Sequence, residues 1–213
     1  MLPRPQFLPV DGPRRTERLA RLLLGLVLFG VGLGFIIAAD LGLPPWDIFH
    51  QGLGRQLDQP IGRMINLVGF VLLLVMVVLR EPMGLGTILN IIVIGVAVDA
   101  FLAAVGEPES LVVRWALVLT GPAVVAVGSG LYIGARLGPG PRDGIMTALD
   151  KRGIAVWKAR TAIEATAFVA GLALGGTVGF GTVWFLVTIG PLVDIALRLL
   201  SVAPTATEAE APM

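Results

Sequence analysis

Apolar runs long enough to cross a bilayer recur along the chain at 18–39, 61–80, 84–105, 113–135, 158–177 and 179–200. A crossing helix needs about 20 mostly apolar residues, so the pattern predicts six transmembrane helices. Residues 1–17 are polar and interrupted by prolines, which predicts a flexible cytoplasmic N-terminal segment. Residues 201–213 are rich in Ala, Pro, Thr and Glu and read as a disordered C-terminal tail.

Two connections, 40–60 and 136–156, are too long for turns, and the helix of about twelve residues that each can hold is too short to cross. Each carries an L-G-x-x-P-x-D element, with Gly42, Pro45 and Asp47 in the first and Gly138, Pro141 and Asp143 in the second. Proline is tolerated in a first helical turn, where its missing N–H has no intrahelical partner. An aspartate two residues later favours the positive end of the helix dipole. Each connection therefore predicts a Gly/Pro break followed by a short amphipathic helix. The pattern leaves open whether these helices lie flat at the interfaces or are re-entrant, with their N-terminal amides aimed at a cavity.

Those two elements belong to an internal repeat. At an offset of 96, Arg18, Gly25, Gly32, Gly34 and Ala39 fall on Arg114, Gly121, Gly128, Gly130 and Ala135. At an offset of 95, Gly84, Gly86, Thr87, Gly95 and Asp99 fall on Gly179, Gly181, Thr182, Gly190 and Asp194. Residues 18–110 form the first three-helix repeat and 111–200 the second. An odd number of spans per unit means that the second enters the membrane from the opposite side. The fold class predicted is an all-α polytopic membrane protein, with six transmembrane helices as two inverted three-helix repeats, each with a short re-entrant or interfacial helix. Inverted repeats are a common plan in secondary transporters.

Composition agrees with a membrane protein. The chain of 213 residues is 55% hydrophobic and 15% charged, with mean hydropathy +0.86, against roughly 25% charged residues in a soluble domain. With no cysteine, disulfides, thiolate metal sites and a cysteine nucleophile are excluded. Basic residues near span ends stay cytoplasmic. An inside N-terminus puts thirteen of them on that side and only Arg55, Arg63 and Arg114 outside. That bias predicts a multi-pass protein of the bacterial cytoplasmic (inner) membrane with both termini in the cytoplasm.

Ionisable groups within spans are costly and mark function by default. The candidate pathway or gate residues are Asp47, Asp143, Asp99, Asp194, Arg142, Arg160, Glu164 and Asn66. They are expected in two layers, with Asp47, Arg63, Asn66 and Asp99 toward the outside and Arg142, Asp143, Arg160, Glu164 and Asp194 toward the inside. The inner group serves equally as a rivet between helices or as a gate. Enzyme chemistry is not expected, given one histidine, three serines and no metal-ligand spacing. No cofactor or metal is implied.

The stretches LGLPPWDIFHQGL, GLGTILNIIVIG, GPGPRDGIM, ARTAIEATAF and GFGTVWF resemble the YczE/YyaS/YitT-type family of bacterial integral membrane proteins, over about residues 18–200. The resemblance implies a small multi-pass inner-membrane protein and carries no ligand residues with it. The function expected is a secondary transporter or facilitator of a small polar or charged solute. The alternative is a non-transporting accessory or scaffold protein whose charged layers are structural. Partners expected are the lipid bilayer, a small solute with its coupling ion and, the oligomeric state being open, a second copy as homodimer; nucleic acid is not expected.

Overall fold

The computed structural model describes residues 7, 8, 10 and 14–200. Eight helices follow one another among them: α1 (Arg15–Ala39), α2 (Pro45–Leu57), α3 (Ile61–Leu79), α4 (Leu85–Val105), α5 (Leu111–Gly134), α6 (Pro141–Asp150), α7 (Val156–Ala173) and α8 (Phe180–Leu200). The chain is therefore a polytopic helical membrane protein. Five helices, α1, α3, α4, α5 and α8, are long and apolar enough to cross a membrane. The run expected at 158–177 becomes α7, which stops at Ala173 and carries Lys158, Arg160 and Glu164 within 18 residues. The expected tail, 201–213, lies outside the described residues, as does most of the expected N-terminal segment. Within that segment the Leu8 N–H donates to the Met83 carbonyl at 2.7 Å, and Val10 packs on the core.

Small residues set the helix pairing, because glycine faces let backbones approach closely in lipid. A Cβ at Gly25 would meet the Gly128 carbonyl, and one at Gly32 the Gly121 carbonyl. The two contacts run in opposite senses along the chain, so α1 and α5 are antiparallel. Gly30 lies on Ile94 and Ala97, and Gly34 on Phe101, which makes α4 parallel to α1. Gly130 lies on Ala196, and the Trp184 indole donates to the Leu119 carbonyl, which makes α8 parallel to α5. Leu22, Leu26, Leu33, Ile94, Val98 and Val125 fill the centre of the α1, α4 and α5 packing.

The same end contacts occur twice. Arg18 donates through Nε to the Ala135 carbonyl and through Nη2 to that of Arg136, both at 3.0 Å. Arg114 donates through Nε to the Ala39 carbonyl at 2.6 Å and through Nη2 to that of Asp40 at 2.8 Å. Each arginine thus satisfies the orphan carbonyls that end the opposite long helix. Just beyond, the Gly86 N–H donates to the Leu137 carbonyl and the Gly181 N–H to that of Leu41, each at 2.7 Å. Gly42 and Gly138 take the left-handed region, with φ of 106° and 118°. A Cβ on Gly42 would also fall 2.6 Å from the Gly179 Cα, and one on Gly138 would fall 2.8 Å from that of Gly84. Only glycine meets both demands.

These contacts define two ends of the bundle. The start of α1 shares its end with the close of α8, since Arg21 Nη1 donates to the Leu200 carbonyl at 2.7 Å. The close of α5 lies there as well. At the opposite end the close of α1 meets the start of α5 and, through Leu41, the start of α8.

Candidate functional site

Both short helices begin with proline after a non-helical tetrapeptide, 41–44 before α2 and 137–140 before α6. Their C-terminal ends lie far apart. Arg55 on α2 donates to the Gly175 carbonyl and, at 3.1 Å, to Thr177 Oγ1, which places that end beyond the close of α7. Just past α6, Lys151 Nζ pairs with the buried Glu81 at 2.8 Å, and Arg152 Nη2 donates to the Leu79 carbonyl at 3.1 Å, which places that end at the close of α3. Yet the first turns touch: the Arg142 guanidinium lies over the Trp46 ring, 5.8 Å from its centroid. Trp46 and Arg142 are equivalent positions in the two connections. Each tetrapeptide therefore runs back from the close of its long helix, and each short helix runs outward again from a shared meeting point.

Around that point the polar groups differ by half. In α2, Asp47 is buried at 3% exposure and accepts a 3.2 Å hydrogen bond from Nδ1 of the buried His50. In α6, Arg142 lies 3.9 Å from Asp143 and 4.0 Å from Glu164 of α7, and Arg160 pairs with Glu164 at 3.3 Å. Arg142 and Asp143 remain part-exposed, and the pairs that Arg142 makes are long. A Cβ on Gly140 would meet Asp143 Oδ2, Asn90 Nδ2 and Tyr132 Oη at 3.4, 3.5 and 3.6 Å. Those three side chains thus converge at the start of α6. Trp46 Nε1 and Asn66 Oδ1 are buried with no hydrogen-bond partner among the described residues.

Arg142, Asp143, Arg160 and Glu164 come together, and contact with Trp46 joins Asp47 to them. The remaining candidates lie elsewhere. Asp99 accepts the Gly62 N–H at 2.8 Å across the α3–α4 seam, and Asn66 packs there against Gly95. Asp194 is exposed and pairs with Arg198 at 2.8 Å on its own helix. Of the group expected toward the outside, Asp47 follows Trp46, whose ring meets Arg142 of the other group. Gly42, Pro45, Gly138 and Pro141 form the breaks that direct the return of the two tetrapeptides. Trp46, His50 and Tyr132 were missed as site residues from sequence. The signal for two of them was rarity, since His50 is the only histidine and Tyr132 the only tyrosine in the chain.

Glycine breaks, short helices meeting at their first turns and a buried polar cluster define a small multi-pass helical membrane protein. Residues 16–198 match the model of a family of unknown function, DUF6198, and the chain belongs to that family. It is 35% identical over 184 residues to an uncharacterized protein of Haemophilus influenzae, covering 86% of this chain and 84% of the relative. It is 30% identical over 179 residues to the uncharacterized membrane protein YczE of Bacillus subtilis, covering 81% and 82%. The resemblance to the YczE-type family is thereby established. No solved structure matches the chain.

Proposed function

We propose that the protein is a non-enzymatic secondary transporter or facilitator of a small polar or charged solute, in the bacterial cytoplasmic membrane with both termini inside. The observation that carries the reading is the meeting of the α2 and α6 first turns through Trp46 and Arg142. Short helices that begin inside a bundle direct their N-terminal dipoles at a common point, as the broken helices of transporters do. Irregular backbone at membrane depth is stable only where protein or water satisfies it, and the tetrapeptides 41–44 and 137–140 supply such backbone here.

Six crossings as two inverted repeats fit the same geometry. α7 starts beside the close of α6, near Glu81, and is followed by Gly181, which bonds to Leu41 at the other end. It thus travels the length of the bundle despite its charges. The paired contacts of Arg18 and Arg114, and of Gly86 and Gly181, favour a two-fold relation between residues 18–110 and 111–200. In this reading Asp47, Asp143, Arg142, Arg160 and Glu164 line the pathway.

The test is a thermal-shift screen of detergent-purified protein against small metabolites and ions, run beside the Asp143→Asn variant. A ligand at 100 times its dissociation constant stabilises the folded state by about 2.7 kcal/mol. The expected result is a hit that Asp143→Asn loses and that moves across reconstituted liposomes. Uniform silence from a well-folded protein and variant would favour the accessory role.

A further inference from the structure

We infer that His50, hydrogen-bonded to Asp47, is a proton-binding site at the start of α2, and that it couples solute movement to protons. The coupling rests on the transport reading above; the proton binding does not. The two side chains are buried, at 7% and 3% exposure, and Nδ1–H of His50 donates to Asp47 Oδ1 at 3.2 Å. With the ring neutral and Asp47 ionised, the pair would carry one net negative charge. Taking up a proton at Nε2 converts the pair to a neutral imidazolium–carboxylate pair, which a low-dielectric site tolerates better than a lone charge. On release the same proton leaves Nε2 and the Nδ1–H bond to Asp47 persists. Histidine is the side chain whose ordinary range makes this exchange accessible near neutral pH.

A cleft of about 480 Å³ lies along the later turns of α2, lined by Gln51, Gly54, Arg55 and Asp58 among others. Gly54 follows His50 by four residues and so shares its helical face.

Protonation also has a mechanical consequence. The His50 ring lies 6.1 Å from the Trp46 ring, which already carries the Arg142 guanidinium. An imidazolium adds a second cation to the same indole and competes with Arg142 for it. The charged groups brought toward this point are Arg142 and Asp143 from α6, with Glu164 from α7 behind Arg142. Arg160 of α7 and Arg63 of α3 are exposed, on Glu164 and Gln59 respectively. The equivalent position in the second half is Met146, so only the first half carries this chemistry.

Because His50 is the only histidine in the chain, ¹⁵N,¹³C-histidine labelling in lipid nanodiscs reports it without ambiguity. The expected result is a ring whose ¹⁵N and ¹³C signals report proton uptake as the pH is lowered. In Asp47→Asn, where the carboxylate partner of the ring is gone, the response of His50 to pH should differ from that of wild type. Should that variant fail to fold, Asp47→Glu keeps the carboxylate and should titrate close to wild type. The Trp46 indole signal, assigned with Trp46→Phe, should move with the same midpoint as His50. A ring that stays in one state from pH 4.5 to 9, or a Trp46 signal indifferent to it, would overturn the inference. A silent solute screen with a titrating His50 would instead count against transport alone.

Discussion

The α3–α4 seam and the flank of α7 and α8 correspond by an offset of 95 residues in the sequence, yet they are built differently. Along α3, Gly62, Asn66 and Gly69 face Asp99, Gly95 and Ile91 of α4. The residues 95 positions later are Trp157, Thr161 and Glu164. Gly190, the counterpart of Gly95, has nothing within 4 Å of where its Cβ would be. A glycine seam closes the first half. An exposed indole and part-exposed charges in the second half keep α7 off α8, and α7 packs on α2 and α6 instead. The second flank is thus the less closely packed of the two, and Glu164 on it keeps 24% of its side chain exposed.

The largest effect that tests this contrast comes from adding bulk on each side. Gly95→Leu drives a side chain into Asn66 and the Gly62 carbonyl, and overpacking of this kind costs about 1–3 kcal/mol or more. Gly190→Leu should stay within about 0.5 kcal/mol of wild type. Thermal unfolding of both variants in detergent measures the difference, and equal losses would contradict an open flank.

Next come the arginines that close the frame. Arg18→Ala and Arg114→Ala each remove two hydrogen bonds from a charged donor to helix-end carbonyls. Such bonds contribute about 1.5–3 kcal/mol each at most. The Arg18 loss should be the larger, because Arg18 is 8% exposed and the Arg114 side chain 28%. Unfolding in urea or a graded thermal assay reads the order.

Arg142→Gln and Glu164→Gln should change stability by less than about 1 kcal/mol, since their ion pairs are long and part-exposed. They should abolish the ligand-induced thermal shift. Smallest of all, Asp194→Asn removes an exposed i,i+4 pair with Arg198 worth about 0.3–0.5 kcal/mol, and ligand response should be unchanged.

Much of the frame was legible in the sequence because lipid imposes length and apolarity on each crossing helix. Five of the expected runs coincide with long apolar helices to within a few residues. The sixth run, α7, escapes that simple rule because Lys158, Arg160 and Glu164 occupy its first half. The breaks at Gly42, Pro45, Gly138 and Pro141 were legible too, since each residue type has a backbone reason to be there. The meeting of Trp46 with Arg142 was not, because periodicity says nothing about how far a non-helical tetrapeptide returns along a bundle. Asp194 was drawn to the site by its offset from Asp99, although Arg198 four residues on offered a local partner on the same face. The partnership of His50 with Asp47 was not legible, because Asp47 stands as a pathway candidate in its own right and spacing alone does not pair it with the histidine three residues on.

The absence of cysteine from the chain permits a direct test of the open flank as an aqueous pathway. Glu164→Cys and its counterpart Gly69→Cys would be reacted, in reconstituted liposomes, with a charged, membrane-impermeant thiol reagent. An aqueous pathway beside Glu164 predicts modification of the residue-164 thiol at least about tenfold faster than that at 69, where Ile91 packs against the backbone and the thiolate that must react is disfavoured by apolar surroundings. Equal rates, or an unreactive thiol at 164, would contradict it.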